Sequence, residues 1–555
     1  MHLAGYKIRQ WREGQDPSMS AEMFGLKYGD PWPSRTIYGW ESKGKIARAP
    51  VQRKLADLGI CSPSDWLTPV TEGGIHFDKN ISKKDENDWG ERENSFFDIR
   101  GHGMVRIATS TPKCRTADVT YNADQILAEA ERAHEAGVDL VVYPELCLSS
   151  YAIDDLHLQS ALLDAVEVQI DRIAKASIGF GPALLVGLPL RYNARVYNCA
   201  ALVAQGKIIG VVPKSFLPNY REYYEKRWFA HGRNIKNAEI LISSEYVPFG
   251  VDILFSANNM LGFKLCVELC EDYWAPTPPS TRGALAGATV LANLSASNIT
   301  IGKSDERHLL ARAQSSRAVA AYIYSASGHG ESTTDLAWDG QGMIYELGDL
   351  LAESDRFSLD SELCIADIDC DRILAERARM QTFNDAAEAE GRPEEEFRKV
   401  EFTFAPSQGD RGLVRPIRRF PFVPNREHRL NEDCYEAFNI QVDGLIRRLE
   451  STRAKTMVIG ISGGLDSTHA LIVAAKCCDR IGLPRSFIRG YTMPGFATSA
   501  ETKSNAWALM KSLGITAEEV DIRPAAMRML EDLQHPFAKG EPVHDVTFEN
   551  VQAGL

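Results

Sequence analysis

The chain has 555 residues, of which 44% are hydrophobic and 25% charged, with a formal net charge of −13. At roughly 100–200 residues per domain it is too long for one core, and its composition is that of an ordinary soluble globular protein of three or four units. The acidic balance excludes a nucleic-acid binder along the whole length, and no run approaches the ~18 apolar residues that a membrane span needs.

The N-terminus MHLAGYKIRQWREG has no apolar signal core, so the default location is the cytoplasm. Eleven cysteines are scattered without a CxxC pair and read as reduced thiols, with no legible zinc site. Residues 1–60 differ in charge, carrying ten Lys/Arg against six Asp/Glu. They read as short helices, LAGYKIRQWRE, SAEMFGLKYG, SRTIYGWESKG and APVQRKLADLGI, with apolar residues at helical spacing and Gly or Pro between. This layout resembles the phage-repressor type of helix-turn-helix. SRTIYGWESKGK matches its recognition helix, which would turn Trp40 inward and Arg35, Thr36 and Lys43 toward DNA. The insert DPWP departs from the tight family turn, and a helical appendage without DNA affinity is the other reading. Residues 1–67 are assigned to this all-α segment and the polar, charged stretch 68–95 to a linker.

From Val105 the pattern changes. MVRIATSTP reads as an apolar strand, NADQILAEAERAHEAG as an amphipathic helix and VDLVVYPEL as a continuous apolar run. The alternation continues to about 375, which predicts a layered α/β domain over 96–375. Residues 376–430, rich in Arg, Glu and Pro, read as a connecting segment. Over 431–555 a helix, the strand KTMVIGI, the turn SGGLDS and the helix THALIVAAKCCDRIG open a second α/β unit of nucleotide-binding type.

Three segments each put one reactive side chain at a predicted strand end: VVYPEL with Glu145, VVPKSFLPNYREYYE with Lys214, and FKLCVELCED with Cys270. Order and neighbours together resemble the Glu-Lys-Cys triad of the nitrilase superfamily, which implies an α-β-β-α layered fold. The chemistry needs these types: a thiol of pKa about 8.5 requires a base, here Glu145, and attack on a carboxamide creates an oxyanion that Lys214 and the next backbone N–H can hold. The resemblance implies that Glu222 is the family's second glutamate, which positions substrate and water. Cys266 reads as a packing residue. In the glutamine-dependent synthetase branch, Tyr220 and Ser297 match positions that hold glutamine main-chain groups. Lys303 stands where some relatives have Arg.

The loop GISGGLDS, comprising Gly460, Ile461, Ser462, Gly463, Gly464, Leu465, Asp466 and Ser467, lacks the lysine of a P-loop. Between a strand and a helix it resembles the pyrophosphate loop of ATP pyrophosphatases, a Rossmann-like fold. Two glycines let the backbone approach phosphates, hydroxyls donate, and the helix N-terminus favours negative charge. Asp466 reads either as a Mg²⁺ ligand or as a helix cap. Downstream, YTMPGFATSAETKSNAWALMKSLGI and HDVTFENVQAGL resemble the glutamine-dependent NAD⁺ synthetase family, with Asn550 at a position that contacts deamido-NAD⁺. The resemblance implies an ATP-dependent ligase acting on L-glutamine, ATP and deamido-NAD⁺, with Mg²⁺, no prosthetic group, no membrane partner and a homo-oligomeric state. Family members continue past FENVQAGL, so the 555-residue chain is expected to hydrolyse glutamine without making NAD⁺. The competing readings are a stand-alone nitrilase-type amidase and a DNA-binding regulator acting through residues 1–60.

Overall fold

The computed structural model describes residues 96–555 except 334–335, 407–408, 418, 421–422, 424–426 and 497. The helix-turn-helix expected over 1–67, its possible DNA contacts and the linker over 68–95 lie outside the described residues. The chain divides into two compact units, with the boundary between Pro416 and Ile417.

The first unit opens with β1 (Met104–Thr111), α1 (Val119–Glu135), β2 (Leu140–Val142), α2 (Ser160–Ala176) and β3 (Ala183–Tyr192). Asp118 caps α1 by accepting the Tyr121 N–H, and Ile126, Ala130 and Ala133 on its helical stripe are buried. Five more strands follow, β4 (Arg195–Ala204), β5 (Lys207–Pro213), β6 (Ala238–Ile242), β7 (Glu245–Phe249) and β8 (Ile253–Ala257). The chain continues through β9 (Lys264–Leu269), α3 (Pro279–Leu285), β10 (Val290–Ser295), α4 (Lys303–Arg317) and β11 (Ala321–Ala326). It finishes with β12 (Gly342–Glu346), β13 (Asp349–Glu353), β14 (Glu362–Asp369), α5 (Cys370–Arg379), α6 (Gln381–Ala389) and β15 (Arg398–Phe402).

These strands form two sheets, ordered β14-β1-β2-β3-β4-β5-β7-β6 and β13-β12-β11-β10-β9-β8-β15. Val105, Ile107 and Leu202 of one sheet pack against Phe255, Val267 and Leu294 of the other in a shared core. Residues of α1 and α2 join the outer face of the first sheet and residues of α3 and α4 that of the second. Burial on both faces explains why these strands read as continuous apolar runs. The result is a layered α/β domain, as the strand and helix alternation predicts, with the α-β-β-α order that the resemblance implies.

The connecting segment departs from expectation. β15 pairs in parallel with β8 and so completes the second sheet. Beyond it, Arg411 pairs with Asp139 at 2.8 Å and Arg415 grips Glu346 through both nitrogens at 2.6 Å, each carboxylate being buried. Residues up to 416 therefore belong to the first unit. Their arginines look solvent-directed in the sequence because the carboxylates that neutralise them lie 272 and 69 residues away.

The second unit holds α7 (Glu427–Thr452), β16 (Met457–Gly460), α8 (Leu465–Ile481), β17 (Ile488–Thr492), α9 (Ala500–Ser512), β18 (Thr516–Glu519), α10 (Arg523–Asp532) and α11 (Val546–Gly554). Its strands form a parallel sheet, β16-β17-β18. Leu471, Ala474 and Cys478 of α8 pack on Ile488, Ala506 and Met510. Among the described residues no helix is long and apolar enough to cross a membrane.

Candidate active site

Glu145 lies in the turn after β2, and that turn rests directly on β3. A Cβ at Gly187 would collide with the backbone of Pro144, Glu145 and Leu146, so the missing side chain is what admits it. Lys214 immediately follows β5, with its N–H donating to the Asn198 carbonyl at 2.8 Å. Its ammonium donates to Glu145 Oε1 at 2.6 Å and to Glu225 Oε1 at 2.8 Å, and all three side chains are fully buried. Glu225 also accepts from the Tyr151 hydroxyl at 2.6 Å.

Cys270 begins a short 3-10 turn at the end of β9. Its φ of +38° is a conformation that non-glycine residues rarely adopt and that tends to be retained where function requires it. Asp272 fixes the turn by accepting the N–H groups of Leu269 at 3.0 Å, Ser215 at 3.1 Å and Phe216 at 2.7 Å. One carboxylate thus ties the cysteine turn to the chain that follows Lys214. Burial pushes the Cys270 thiol well above its usual pKa, Glu145 adds to this, and Lys214 opposes it. Burial also acts against the Lys214 cation, but Glu145 and Glu225 outweigh it and hold the ammonium protonated. Glu225 is raised, by burial first, with Lys214 pulling the other way.

A cavity of about 350 Å³ reaches Cys270 and is lined also by Tyr220, Glu222, Glu271, Ser297 and Lys303. Asn298 organises its polar wall. Its Oδ1 accepts from the Tyr223 hydroxyl and from Lys303 Nζ, both at 2.6 Å, while its Nδ2 donates to Glu222 Oε1 at 2.7 Å. The Tyr220 hydroxyl donates to Glu271 at 2.9 Å. The buried Ser297 hydroxyl has no partner among the described residues. Burial draws the Lys303 ammonium below its usual pKa, so an anion beside it would be favoured.

The structure therefore gathers Glu145, Lys214 and Cys270 with Tyr220, Ser297 and Lys303. Glu222 stands in the cavity wall against Asn298, and Glu225, which the sequence reading did not single out, is the second carboxylate on Lys214. In NYREYYEK the Glu225 N–H donates to Pro218 O at 3.1 Å, and a 3-10 turn over Glu225–Arg227 begins there, which directs Glu225 inward. Sequence reasoning also missed Arg307. This fully buried guanidinium donates to the carbonyls of Ser297 at 2.8 Å and Asn298 at 3.0 Å, and is itself held by Asp339 at 2.9 Å and Gln341 at 3.0 Å. Cys266 packs in the core behind β9.

In the second unit the expected loop joins β16 to α8. The Ile461 N–H donates to Tyr491 O at 2.7 Å, and Gly464 caps α8, so Asp466 is not the cap but an exposed residue of the first turn. Ser462 Oγ accepts the Gly464 N–H at 3.2 Å and lies 3.1 Å from Ser467 Oγ. Gly463 has φ +80°, and a Cβ there would strike the Thr502 carbonyl. Gly460 and Leu465 flank this exposed turn. Asn550 is exposed on α11. Its neighbours Glu549 and Gln552 line a cavity of about 490 Å³ with Phe496, His544 and Phe548. Among the described residues no cluster of three or more His, Cys, Asp or Glu could hold a metal by itself.

Two families match the chain, carbon-nitrogen hydrolase over residues 105–377 and NAD synthase over residues 437–555. The glutamine-dependent NAD(+) synthetase of Mycobacterium leprae is 52% identical over 460 residues, covering 83% of this chain and 68% of that relative. Its Mycobacterium tuberculosis counterpart is 51% identical over 461 residues with the same coverage. The solved glutamine-dependent NAD(+) synthetase of Cytophaga hutchinsonii aligns at 23% identity and a TM-score of 0.43, covering 81% of this chain and 71% of its own.

Proposed function

We propose that this chain, which belongs to the glutamine-dependent NAD(+) synthetase family, releases ammonia from L-glutamine at Cys270. Its second unit, which matches the NAD synthase family, amidates deamido-NAD⁺ with that ammonia and ATP, giving NAD⁺, AMP and pyrophosphate, against the expectation from sequence that these residues make no NAD⁺. The observation that carries the glutaminase assignment is the buried Lys214 ammonium between Glu145 and Glu225, beside a cavity that reaches a strained cysteine.

Glu145 takes the thiol proton as the Cys270 sulfur bonds to the carboxamide carbon. The resulting oxyanion is held by the Lys214 ammonium and the Glu271 N–H. Collapse breaks the C–N bond, and Glu145 returns its proton to the departing nitrogen, so ammonia leaves and a thioester remains. Water, deprotonated by Glu145, cleaves the thioester to glutamate and restores the thiol. Glu225 keeps Lys214 charged and directed at the reacting carbon. Lys303 offers a cation to the glutamine α-carboxylate, while Glu222 and Glu271 offer carboxylates to its α-ammonium. The unpaired Ser297 hydroxyl and Tyr220 complete the main-chain contacts.

In the second unit, the loop from Gly460 to Ser467 presents backbone N–H groups and two hydroxyls at a helix N-terminus to the ATP phosphates. Asp466 fits a magnesium ion shared with those phosphates, because such ions keep few protein ligands. The ion would neutralise phosphate charge as pyrophosphate leaves. Deamido-NAD⁺ fits the face of α11 that carries Asn550.

The test is to incubate the full chain with glutamine, ATP, magnesium and deamido-NAD⁺ and to measure ammonia and NAD⁺ separately. Ammonia should form whether or not ATP is present, and its absence would sink the first assignment. NAD⁺ should require both ATP and deamido-NAD⁺. No NAD⁺ even with added ammonium would sink the second.

A further inference from the structure

The two oxygens of Glu145 are not equivalent. Among the described residues, Oε1 accepts from Lys214 Nζ at 2.6 Å and from Asn198 Nδ2 at 2.7 Å, whereas Oε2 accepts only the Ala296 N–H at 2.8 Å. We infer that Asn198 is a positioning residue for the glutaminase step: by filling Oε1 alongside Lys214, it leaves Oε2 as the oxygen that takes the Cys270 proton.

This rests on the reading of Cys270 as nucleophile and Glu145 as base. Asn198 is fully buried on β4 and does not line the substrate cavity, so it acts through Glu145. An ionised carboxylate only accepts, which requires the amide to present its NH₂ to Glu145. That orientation leaves Asn198 Oδ1 buried without a partner among the described residues. A side chain serving packing alone would not need to strand an acceptor in the core, whereas a charge-assisted bond to Glu145 accounts for it. The Asn198 carbonyl also receives the Lys214 N–H at 2.8 Å. One residue therefore sets the base with its side chain and the cation with its main chain.

The ionisable groups that face Glu145 are Lys214 after β5, Glu225 in the 3-10 turn, Cys270 and Glu271 after β9, Tyr151 after β2 and Glu331 after β11. Lys214 is the sole cation among them. Loss of the Asn198 donor removes a bond that favours ionised Glu145 while leaving carboxylates that disfavour it, so its proton affinity must rise. Replacement by Asp adds a further negative charge at nearly constant shape.

The experiment compares the 555-residue parent with Asn198→Leu and Asn198→Asp. Iodoacetamide alkylation of Cys270 is timed by mass spectrometry over roughly pH 5–9, and kcat and KM for glutamine are measured over the same range. The acid limb of both profiles should move up by about half to one pH unit in Asn198→Leu and by more in Asn198→Asp. At neutral pH kcat in Asn198→Leu should fall by up to about tenfold, short of the ~10²–10⁴ a general base supplies in full, while KM stays within about twofold. A limb that stays in place, with reactivity lowered equally at every pH, would overturn the inference by showing that Asn198 only supports the fold. If Asn198→Leu fails to fold, Asn198→Asp decides alone. A parent that hydrolyses no glutamine sinks the assigned reaction, but the alkylation profile still decides the role of Asn198.

Discussion

Replacing Lys214 by methionine would leave Glu145 and Glu225 facing one another in a closed site, both having been neutralised by that ammonium at 2.6 and 2.8 Å. Two unit charges ~4 Å apart repel by about 4 kcal/mol at an effective dielectric of ~20. At about 1.4 kcal/mol per pKa unit, the pair should hold one proton some three units above the usual carboxylate range. Breaking a buried ion pair by removing one partner costs about 3–5 kcal/mol. The pH dependence distinguishes this from a packing defect. A carboxyl whose folded-state pKa is raised contributes stability that is complete below its unfolded pKa and is lost as pH rises through the folded value. The variant should therefore lose about 1.4 kcal/mol of stability per pH unit over a window that runs to higher pH than the parent's, because Lys214 is what restrains Glu225, which burial already raises in the parent. Calorimetry across that range measures it, with ammonia release in parallel, where loss of the oxyanion partner should cost ~10²–10³ in kcat. A variant with the parental slope and kcat within tenfold of the parent would refute both the placement of the two carboxylates and the role of Lys214.

Cys270→Ala should abolish ammonia release with an unchanged fold, since no thioester can form; activity above a few per cent of the parent in purified protein would exclude Cys270 as nucleophile. Gly463→Ala should destabilise the second unit by more than 1 kcal/mol, because it combines a left-handed φ with collision on Thr502. Gly464→Ala meets only Ser462 Oγ at 3.3 Å and should cost less, so equal shifts in the thermal transition would contradict the loop geometry. Arg307→Met should raise KM for glutamine more than it lowers kcat, because it releases the Ser297 and Asn298 carbonyls while leaving the Lys214 pair intact; steady-state kinetics with an unchanged KM would dissociate Arg307 from the substrate wall.

Much of this was legible because local chemistry and topology agree. Runs such as VVYPEL are buried on both sides, so their apolar content marks strands, and a polar residue at their end is where a sheet delivers side chains to a site. Glu145, Lys214 and Cys270 each occupy such a position. Glu225 was not legible: YREYYEK offers two glutamates three residues apart, and only the 3-10 turn decides which faces inward. Arg307 was hidden for another reason. Its partners Asp339, Gln341 and Ser297 come from separate elements, and no local pattern marks a helix arginine as buried. β15 was missed because its burial alternates weakly and its Arg398 reads as surface charge until Asp252, at 2.9 Å, is brought beside it.

The arm from β15 to Arg415 bears on how the enzyme can be taken apart. The carbon-nitrogen hydrolase match ends at 377, which makes that position a natural place to truncate a recombinant glutaminase. Such a cut would bare the whole length of β8 as an unprotected edge, a template for intermolecular strand addition. It would also deprive the buried Asp252 of Arg398 and withdraw one of the arginines that neutralise each of Asp139 and Glu346. A product ending at 377 should aggregate, whereas one ending at Pro416 should remain monodisperse in size-exclusion chromatography and release ammonia. The separable piece is thus some forty residues longer than the stretch that carries the family signature.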